Sequence, residues 1–130
     1  MKFDVTNEKI VERIGFPFNY WAAYGQFPIT EQDLKYLDII KAHPCFATVL
    51  KGYQILSPII EWANIRINKI VFYEHFYNDP NCPKGVKNIL FTMIGNERGN
   101  LRDHNMINLL NFRYHAVQLW IDSATKKSSL

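Results

Sequence analysis

Apolar residues recur at alternating steps of three and four between residues 46 and 76. This spacing places them on one face of an α-helix. The positions are Phe46, Val49, Leu50, Tyr53, Leu56, Ile60, Ala63, Ile67 and Ile70. A second row, formed by Ile55, Ile59 and Trp62, widens this face, so we expect neighbouring elements to cover the segment on more than one side.

The central segment has one break and one ambiguous stretch. Proline disrupts a helix interior, so Ser57-Pro58 predicts either two helices or one sharp kink, with Ser57 as the cap of the second helix. Residues 63–73 are also rich in β-branched and aromatic side chains, which is typical of strands. The spacing of three and four favours a helix, and a strand near residues 63–73 remains the alternative.

Two helices are predicted before the central segment. Residues 6–15 form the first, which ends at Gly15 because glycine readily adopts a left-handed cap conformation. Thr30 and Asp33 have the spacing of a reciprocal N-terminal capping box, which predicts the start of the second helix. Pro44 disfavours helical geometry at His43, so the second helix should end there.

Two helices are also predicted after the central segment. One begins near Pro83 and stops at Gly95, and a polar connection follows over residues 96–102. The last begins with Asp103 as its cap, and its apolar residues are dense enough to predict burial nearly all round. These residues are Met106, Ile107, Leu109, Leu110, Phe112, Tyr114, Val117, Leu119, Trp120 and Ile121.

Together these patterns predict an all-α fold. We expect a single compact domain of five to six helices over residues 1–122, followed by a disordered C-terminal tail over residues 123–130. The alternative is an α+β fold with a strand near residues 63–73. A chain of 130 residues is long enough for one core.

Aromatic residues are frequent, at 15% of the chain, and six of them crowd residues 15–28. Prolines and glycines prevent one continuous helix there, so we interpret this stretch as an aromatic loop. We expect its phenylalanines, Phe16, Phe18 and Phe27, to fold inward. For the other three aromatic residues two interpretations stay open: they complete an aromatic-rich core, or they are exposed. Tyrosine and tryptophan dominate protein interfaces, so we predict that these three contact a partner. These residues are Tyr20, Trp21 and Tyr24.

Charge is distributed unevenly between the two halves of the chain. The net charge is +3, and residues 66–130 hold nine Lys or Arg against five acidic residues. Phosphate contacts need such basic residues, so nucleic-acid binding is a second hypothesis, although the chain has no long basic run. The candidate contacts are Lys84, Lys87, Arg98, Arg102 and Arg113.

Motifs for metal binding, nucleophilic catalysis and phosphate binding are missing or have the wrong spacing. His43 and Cys45 are separated by one residue, whereas zinc pairs usually have two to four between them, and His75 and Cys82 form no second close pair. The chain has no G-x-S-x-G motif and no glycine-rich phosphate loop. We therefore predict no catalytic residues, no metal and no cofactor.

A small enzyme or ligand-binding domain remains a third hypothesis. It would use a polar pocket near Glu74 and His75, completed by Asp79 and Arg102, because carboxylates and histidine are the usual proton-transfer groups. A helix end followed by a polar loop also collects such residues without any function.

Cysteine content and hydropathy indicate the compartment. Two cysteines are too few for a disulfide scaffold, and no signal segment precedes them, so we expect a cytoplasmic protein. The longest uncharged run, residues 14–30, contains prolines, an asparagine and a glutamine, so we expect no membrane association.

The sequence favours a non-enzymatic protein that binds another protein and occludes part of its surface, as inhibitor, immunity or antagonist proteins do. No catalytic constellation can be assembled, whereas a small aromatic-rich domain suffices for occlusion. The sequence does not indicate the oligomeric state.

Overall fold

The computed structural model describes residues 2–52 and 59–128, and in these residues it contains seven helices and two short strands. The helices are α1 (Glu8–Ile14), α2 (Phe18–Gly25), α3 (Glu31–Ala42), α4 (Phe46–Lys51), α5 (Ile59–Tyr77), α6 (Lys84–Asp103) and α7 (Asn108–Ser128). Strand β1 (Lys2–Phe3) pairs antiparallel with β2 (Ile29–Thr30). The predicted all-α class is confirmed, with one helix more than the five to six expected.

Helix α5 is the centre of the fold. Ala63, Ile67 and Ile70, which belong to the predicted stripe, are wholly buried. Val71 and Phe72 are wholly buried as well, so α5 is covered on more than one side, mainly by α6 and α7. The helical interpretation of residues 63–73 is confirmed and the strand alternative is wrong. The predicted break at Ser57-Pro58 lies outside the described residues.

The N-terminal helices begin and end near the predicted residues, although Asn7 is the cap of α1 and Gly15 has a positive φ outside the left-handed helical region. Helix α1 begins after Asn7, whose side chain accepts a hydrogen bond from the Lys9 amide, and it ends at Gly15 with φ +78°. The capping box of α3 is formed, since the Thr30 amide donates to Asp33 Oδ2 at 2.8 Å and the Asp33 amide donates to Thr30 Oγ1 at 3.3 Å. These ends follow from local residue chemistry.

Residues 15–28 are not an aromatic loop throughout, because α2 occupies the middle of this stretch. No proline lies inside Phe18–Gly25, so the predicted breakers lie at the helix ends. Phe18 is wholly buried, with its ring 6.0 Å from Phe46 and 6.0 Å from Tyr73. This buried contact anchors α2.

Helix α6 does not stop at Gly95. It continues through the predicted polar connection to Asp103, which is its last residue and not the cap of a new helix. Beyond Gly95, Leu101 is wholly buried, and Glu97 is buried with Oε2 3.1 Å from Arg66 Nη1 on α5. These tertiary contacts outweigh the cost of a helical glycine, which is about 1 kcal/mol.

Asp33 also stabilises the start of α6. The cap position of α6 is Pro83, whose side chain makes no capping hydrogen bond, and Asp33 Oδ1 accepts one from the Val86 amide at 3.2 Å. A Cβ atom at Gly85 would lie 2.4 Å from Asp33 Oδ2. One buried carboxylate therefore caps two helices, and the close approach requires glycine.

Helix α7 is less buried than predicted and extends further. Leu110, Val117 and Ile121 are buried against the core, but Phe112 and Leu119 are exposed, so only one face is covered. The helix continues to Ser128, so residues 123–128 are helical where we expected a disordered tail.

Thr125 connects this C-terminal extension of α7 to the rest of the protein. Its Oγ1 lies 2.7 Å from His43 Nε2 and donates to the Ile121 carbonyl at 2.8 Å.

Among the described helices, none combines the length and apolar character that crossing a bilayer requires.

A lysine is buried between α5 and α6. Lys69 Nζ lies 3.9 Å from Glu97 Oε1, and Arg66 pairs with the other oxygen of the same carboxylate. Burial lowers the pKa of Lys69 to about 8, although the attraction of Glu97 opposes the shift. The cationic form of Lys69 is thus disfavoured by folding.

We predict opposite effects of alanine at two glycines of α6. At Gly95 an added Cβ meets no atom of the described residues within 4 Å, so Gly95→Ala should raise the free energy of unfolding by about 0.5–1 kcal/mol. Gly85→Ala should lower it by about 1 kcal/mol or more, because Asp33 must move. Urea denaturation measures both values, and a loss of stability in Gly95→Ala would contradict the open surroundings of that site.

We also predict a pH dependence from Lys69. Its pKa is lower in the folded protein than in the unfolded chain, so the unfolded state binds more protons between pH 8 and 10.5 and stability rises there. From about pH 7.5 to 9.5, the free energy of unfolding should rise by about 2 kcal/mol more in the wild type than in Lys69→Met. Parallel urea titrations measure this difference. Equal slopes for the two proteins would show that Lys69 titrates normally.

Candidate functional site

The buried face of α2 determines which of its side chains point away from the core. Phe18 and Ala22 are wholly buried one helical turn apart, and α2 packs against α1 and α6. Because side chains three or four positions apart share a face of a helix, Tyr20 and Tyr24 lie together on another face. The buried anchor therefore directs both tyrosines away from the core.

Three side chains of α2 form a packed group that we call the aromatic cluster: Tyr20, Trp21 and Tyr24. The Tyr20 ring stacks on that of Tyr24 at 6.0 Å with 12° between the planes. Trp21 meets Tyr20 edge to face at 5.0 Å and Tyr24 at 6.0 Å. Tyr20 is 61% exposed and Tyr24 71%, whereas Trp21 is half-buried against the core. Trp21 thus supports two tyrosines that face solvent.

The phenylalanines of the segment behave differently from one another. Phe18 is buried as predicted, but Phe16 is 56% exposed and Phe27 is half-buried, so the inward prediction for Phe16 is wrong. Phe16 precedes α2 and does not share the buried face of the helix. The Phe27 ring closes over Gly25, where a Cβ atom would lie 2.4 Å from Phe27 Cζ. The C-terminal end of α2 is therefore fixed.

The segment that carries the aromatic cluster has no charged residue of its own. Residues 14–30 contain no Lys, Arg, Asp or Glu. The charged residue just before them, Arg13, donates two hydrogen bonds to Asp38, at 2.7 and 2.6 Å. The guanidinium of Arg13 lowers the pKa of Asp38, chiefly through these hydrogen bonds. The cluster offers aromatic rings and tyrosine hydroxyls.

Four of the five basic candidates lie along one stripe of α6. Lys84 and Arg102 are separated by about five helical turns, or about 27 Å, so they share the same direction from the helix axis. Lys87 and Arg98 lie within about 60° of that direction. The sequence analysis assigned Arg98 and Arg102 to a loop, so this alignment follows from the unbroken helix.

Two of these basic residues already contact other side chains. Arg98 Nη2 donates to Glu74 Oε1 at 2.6 Å, and Lys87 Nζ lies 5.7 Å from the centre of the Tyr77 ring. Arg113 is not part of the stripe. It lies on α7, where it lines a groove with Trp120.

The residues of the hypothetical polar pocket have separate partners. Both oxygens of Glu74 are occupied, one by Arg98 and the other by the Tyr114 hydroxyl, which donates at 2.7 Å. Burial and this hydrogen bond raise the pKa of Tyr114 to about 12. His75 Nδ1 lies 4.0 Å from Asp122 Oδ1 on α7. Glu74 and His75 thus point to different neighbours.

Asp79 lies near His75 but its carboxylate is engaged by Tyr36, and Arg102 lies at the C-terminal end of α6. Asp79 Oδ2 accepts a hydrogen bond from the Tyr36 hydroxyl at 2.6 Å, which is the main reason that its pKa is lowered. Burial and the same hydrogen bond raise the pKa of Tyr36. Arg102 is exposed in the last turn of α6. The structure does not bring these two side chains to Glu74 and His75 in one pocket.

The metal-ligand candidates are also engaged elsewhere. His43 Nδ1 accepts a hydrogen bond from the Cys45 amide at 3.0 Å. Burial, followed by the nearby His75, lowers the pKa of His43. Cys82 is buried, and burial raises the pKa of its thiol to about 12. Within residues 2–52 and 59–128, no three His, Cys, Asp or Glu side chains form a group that could hold a metal ion.

One feature was not predicted from the sequence: a groove between the end of α5 and the middle of α6. It lies beside Tyr77, Phe91 and Gly95. The only sequence signal is that Phe91 falls outside the apolar stripe of α6, which contains Val86, Ile89, Leu90, Met93 and Ile94.

Comparisons of the chain with protein-family models, with curated proteins and with solved structures found no match. Function is therefore inferred from the chemistry and the geometry of the side chains.

Proposed function

We propose that this protein acts by binding another protein, with the aromatic cluster at the centre of the interface. The observation that carries the proposal is that Tyr20, Trp21 and Tyr24 pack on one another while both tyrosines face solvent. Tyrosine and tryptophan are enriched among the residues that contribute most binding energy at protein interfaces.

The arrangement of the aromatic cluster in the protein without a partner favours binding. Its rings contact one another, Trp21 packs against the core, and Phe18 anchors the helix beneath them. Ordering a flexible side chain on binding costs about 0.5–1.5 kcal/mol. A prearranged cluster avoids much of this cost, which favours binding.

The lack of charge in residues 14–30 suggests the character of the partner. A strongly charged partner surface would gain little from this face, because electrostatic complementarity requires opposite charges. The partner surface should instead present an apolar recess for the rings and polar groups for the tyrosine hydroxyls. Binding of this kind occludes the partner surface, as an inhibitor, immunity or antagonist protein does, and needs no catalytic residue.

We predict that the double variant Tyr20→Ala/Tyr24→Ala loses its partner without losing its fold. Both side chains are mostly exposed, so the free energy of unfolding should change by about 0.5 kcal/mol or less for each. Removal of two central aromatic residues should weaken binding about tenfold or more. The measurement is quantitative co-purification from the native host, followed by titration against the protein that is retained.

Phe112→Ala is the matched control, because Phe112 is an 82% exposed aromatic residue on α7, whereas the aromatic cluster lies on α2. It should retain the same partner as the wild type. Equal retention by the double variant and by Phe112→Ala would refute the proposed interface. Trp21→Ala is a poorer test, since Trp21 also packs against the core.

Nucleic-acid binding is the second candidate function, favoured by the basic stripe of α6. The continuous helix aligns Lys84, Lys87, Arg98 and Arg102 over about 27 Å. The pairing of Arg98 with Glu74 reduces the charge available to phosphates. This is why the aromatic cluster is preferred.

If nucleic acid is the partner, binding to labelled oligonucleotides should weaken steeply as salt rises. Lys84→Gln/Arg102→Gln should lower affinity for all sequences alike and reduce the slope of log K against log salt by about 2. Fluorescence anisotropy over a salt series measures both. Lys9→Gln/Lys35→Gln, which removes two exposed lysines outside α6, is the matched control. No binding at low salt would reject this candidate.

A further inference from the structure

The groove between α5 and α6 has the size of a small-molecule site. Its volume is about 460 Å³, and Glu74 and Tyr77 of α5 face Phe91, Gly95 and Arg98 of α6 across it. Binding pockets for small ligands occupy about 300–1,000 Å³. The groove is built on α5 and α6, whereas the aromatic cluster is built on α2.

One end of the groove is aromatic. The rings of Tyr77 and Phe91 are 6.3 Å apart, with 35° between their planes. Phe91 is 67% exposed although it is one of the largest apolar side chains of α6. A planar ring placed against Phe91 would remove apolar surface from water and gain the stacking contacts that aromatic rings favour.

Gly95 keeps the middle of the groove open. Phe91, Gly95 and Arg98 are spaced four and three residues apart, so they share one face of α6. A Cβ at Gly95 would meet nothing within 4 Å among the described residues, so packing does not require glycine there. A mid-helix glycine costs about 1 kcal/mol relative to alanine. Gly95 leaves this space open, because any larger side chain at this position would project over the groove.

The other end of the groove is cationic. Arg98 holds Glu74 through Nη2, and the Tyr114 hydroxyl occupies the second oxygen of that carboxylate. A guanidinium carries five N–H donors, so the half-exposed Arg98 retains donors for a ligand. Lys87 lies beside Tyr77. Lys87 is thus at the aromatic end and outside the groove lining, so Arg98 is the cation of this end, and the carboxylate beside it is already paired.

We propose that this groove binds a small ligand composed of a planar aromatic ring and an anionic group. The ring lies against Phe91 over the opening left by Gly95, and the anionic group accepts hydrogen bonds from Arg98, which suits carboxylates and phosphates. This site does not depend on the proposed protein interface, and either can fail without the other.

The test uses 2-naphthoate as the probe and the full chain labelled with ¹⁵N. Titration should give saturable amide shifts concentrated in the last turn of α5 and in the middle of α6. Gly95→Leu should weaken the probe about tenfold or more by filling the groove. Gly99→Leu adds the same bulk one turn later on α6, outside the groove lining, and should bind the probe as the wild type does.

Arg98→Gln provides an independent variant in case Gly95→Leu does not fold. It should also weaken 2-naphthoate about tenfold, while leaving the weak binding of the neutral 2-naphthamide unchanged. Cyclohexanecarboxylate, which has the charge but no aromatic ring, should bind more weakly than 2-naphthoate.

Three outcomes would overturn the proposal. The first is equal affinity for 2-naphthoate and 2-naphthamide, which would remove the anionic requirement. The second is unchanged affinity in a folded Gly95→Leu variant or in Arg98→Gln. The third is an absence of saturable shifts with 2-naphthoate; if a single-stranded oligonucleotide then shifts the same α6 amides, this surface is assigned to nucleic acid.

Discussion

The burial of α5 is the constraint on which the rest of the structure depends. Val71, Phe72 and Tyr73 are consecutive and wholly buried, so they face three directions about 100° apart. Leaving any of them in water would forgo about 1.5–3 kcal/mol of hydrophobic stabilisation. Helices must therefore surround α5, mainly α6 and α7, and each surrounding helix keeps an outer face that is free for other contacts.

The polar contacts at the core determine how far the surrounding helices extend. Asp33 stabilises the start of α6, and the ion pair between Arg66 and Glu97 holds its later half against α5. A buried carboxylate without hydrogen-bond or ion-pair partners would destabilise the folded protein. The folded state therefore keeps these contacts. As a result, α6 presents one continuous face that carries the basic stripe and borders the groove.

Both proposed sites combine exposed aromatic rings with a rigid base. On α2, the buried Phe18 holds the helix while Tyr20 and Tyr24 face solvent. On α6, Leu90 is buried while the adjacent Phe91 is exposed. Rings held in this way lose little conformational entropy when they bind, so binding energy can come from surface burial.

Local chemistry in the sequence determined the helical class, the helix over residues 63–73 and the capping box of Thr30 and Asp33, because spacing and caps act within a few residues. Only the tertiary structure decided that α6 passes Gly95, since partners distant in sequence outweigh a local breaker. It also decided that α2 forms within residues 15–28, where the buried Phe18 anchors the helix between breakers at its ends. The exposure of Phe112 also depended on the tertiary structure. A hydrophobic pattern shows which residues share a face of a helix, but how much of that face is covered depends on the helices packed around it.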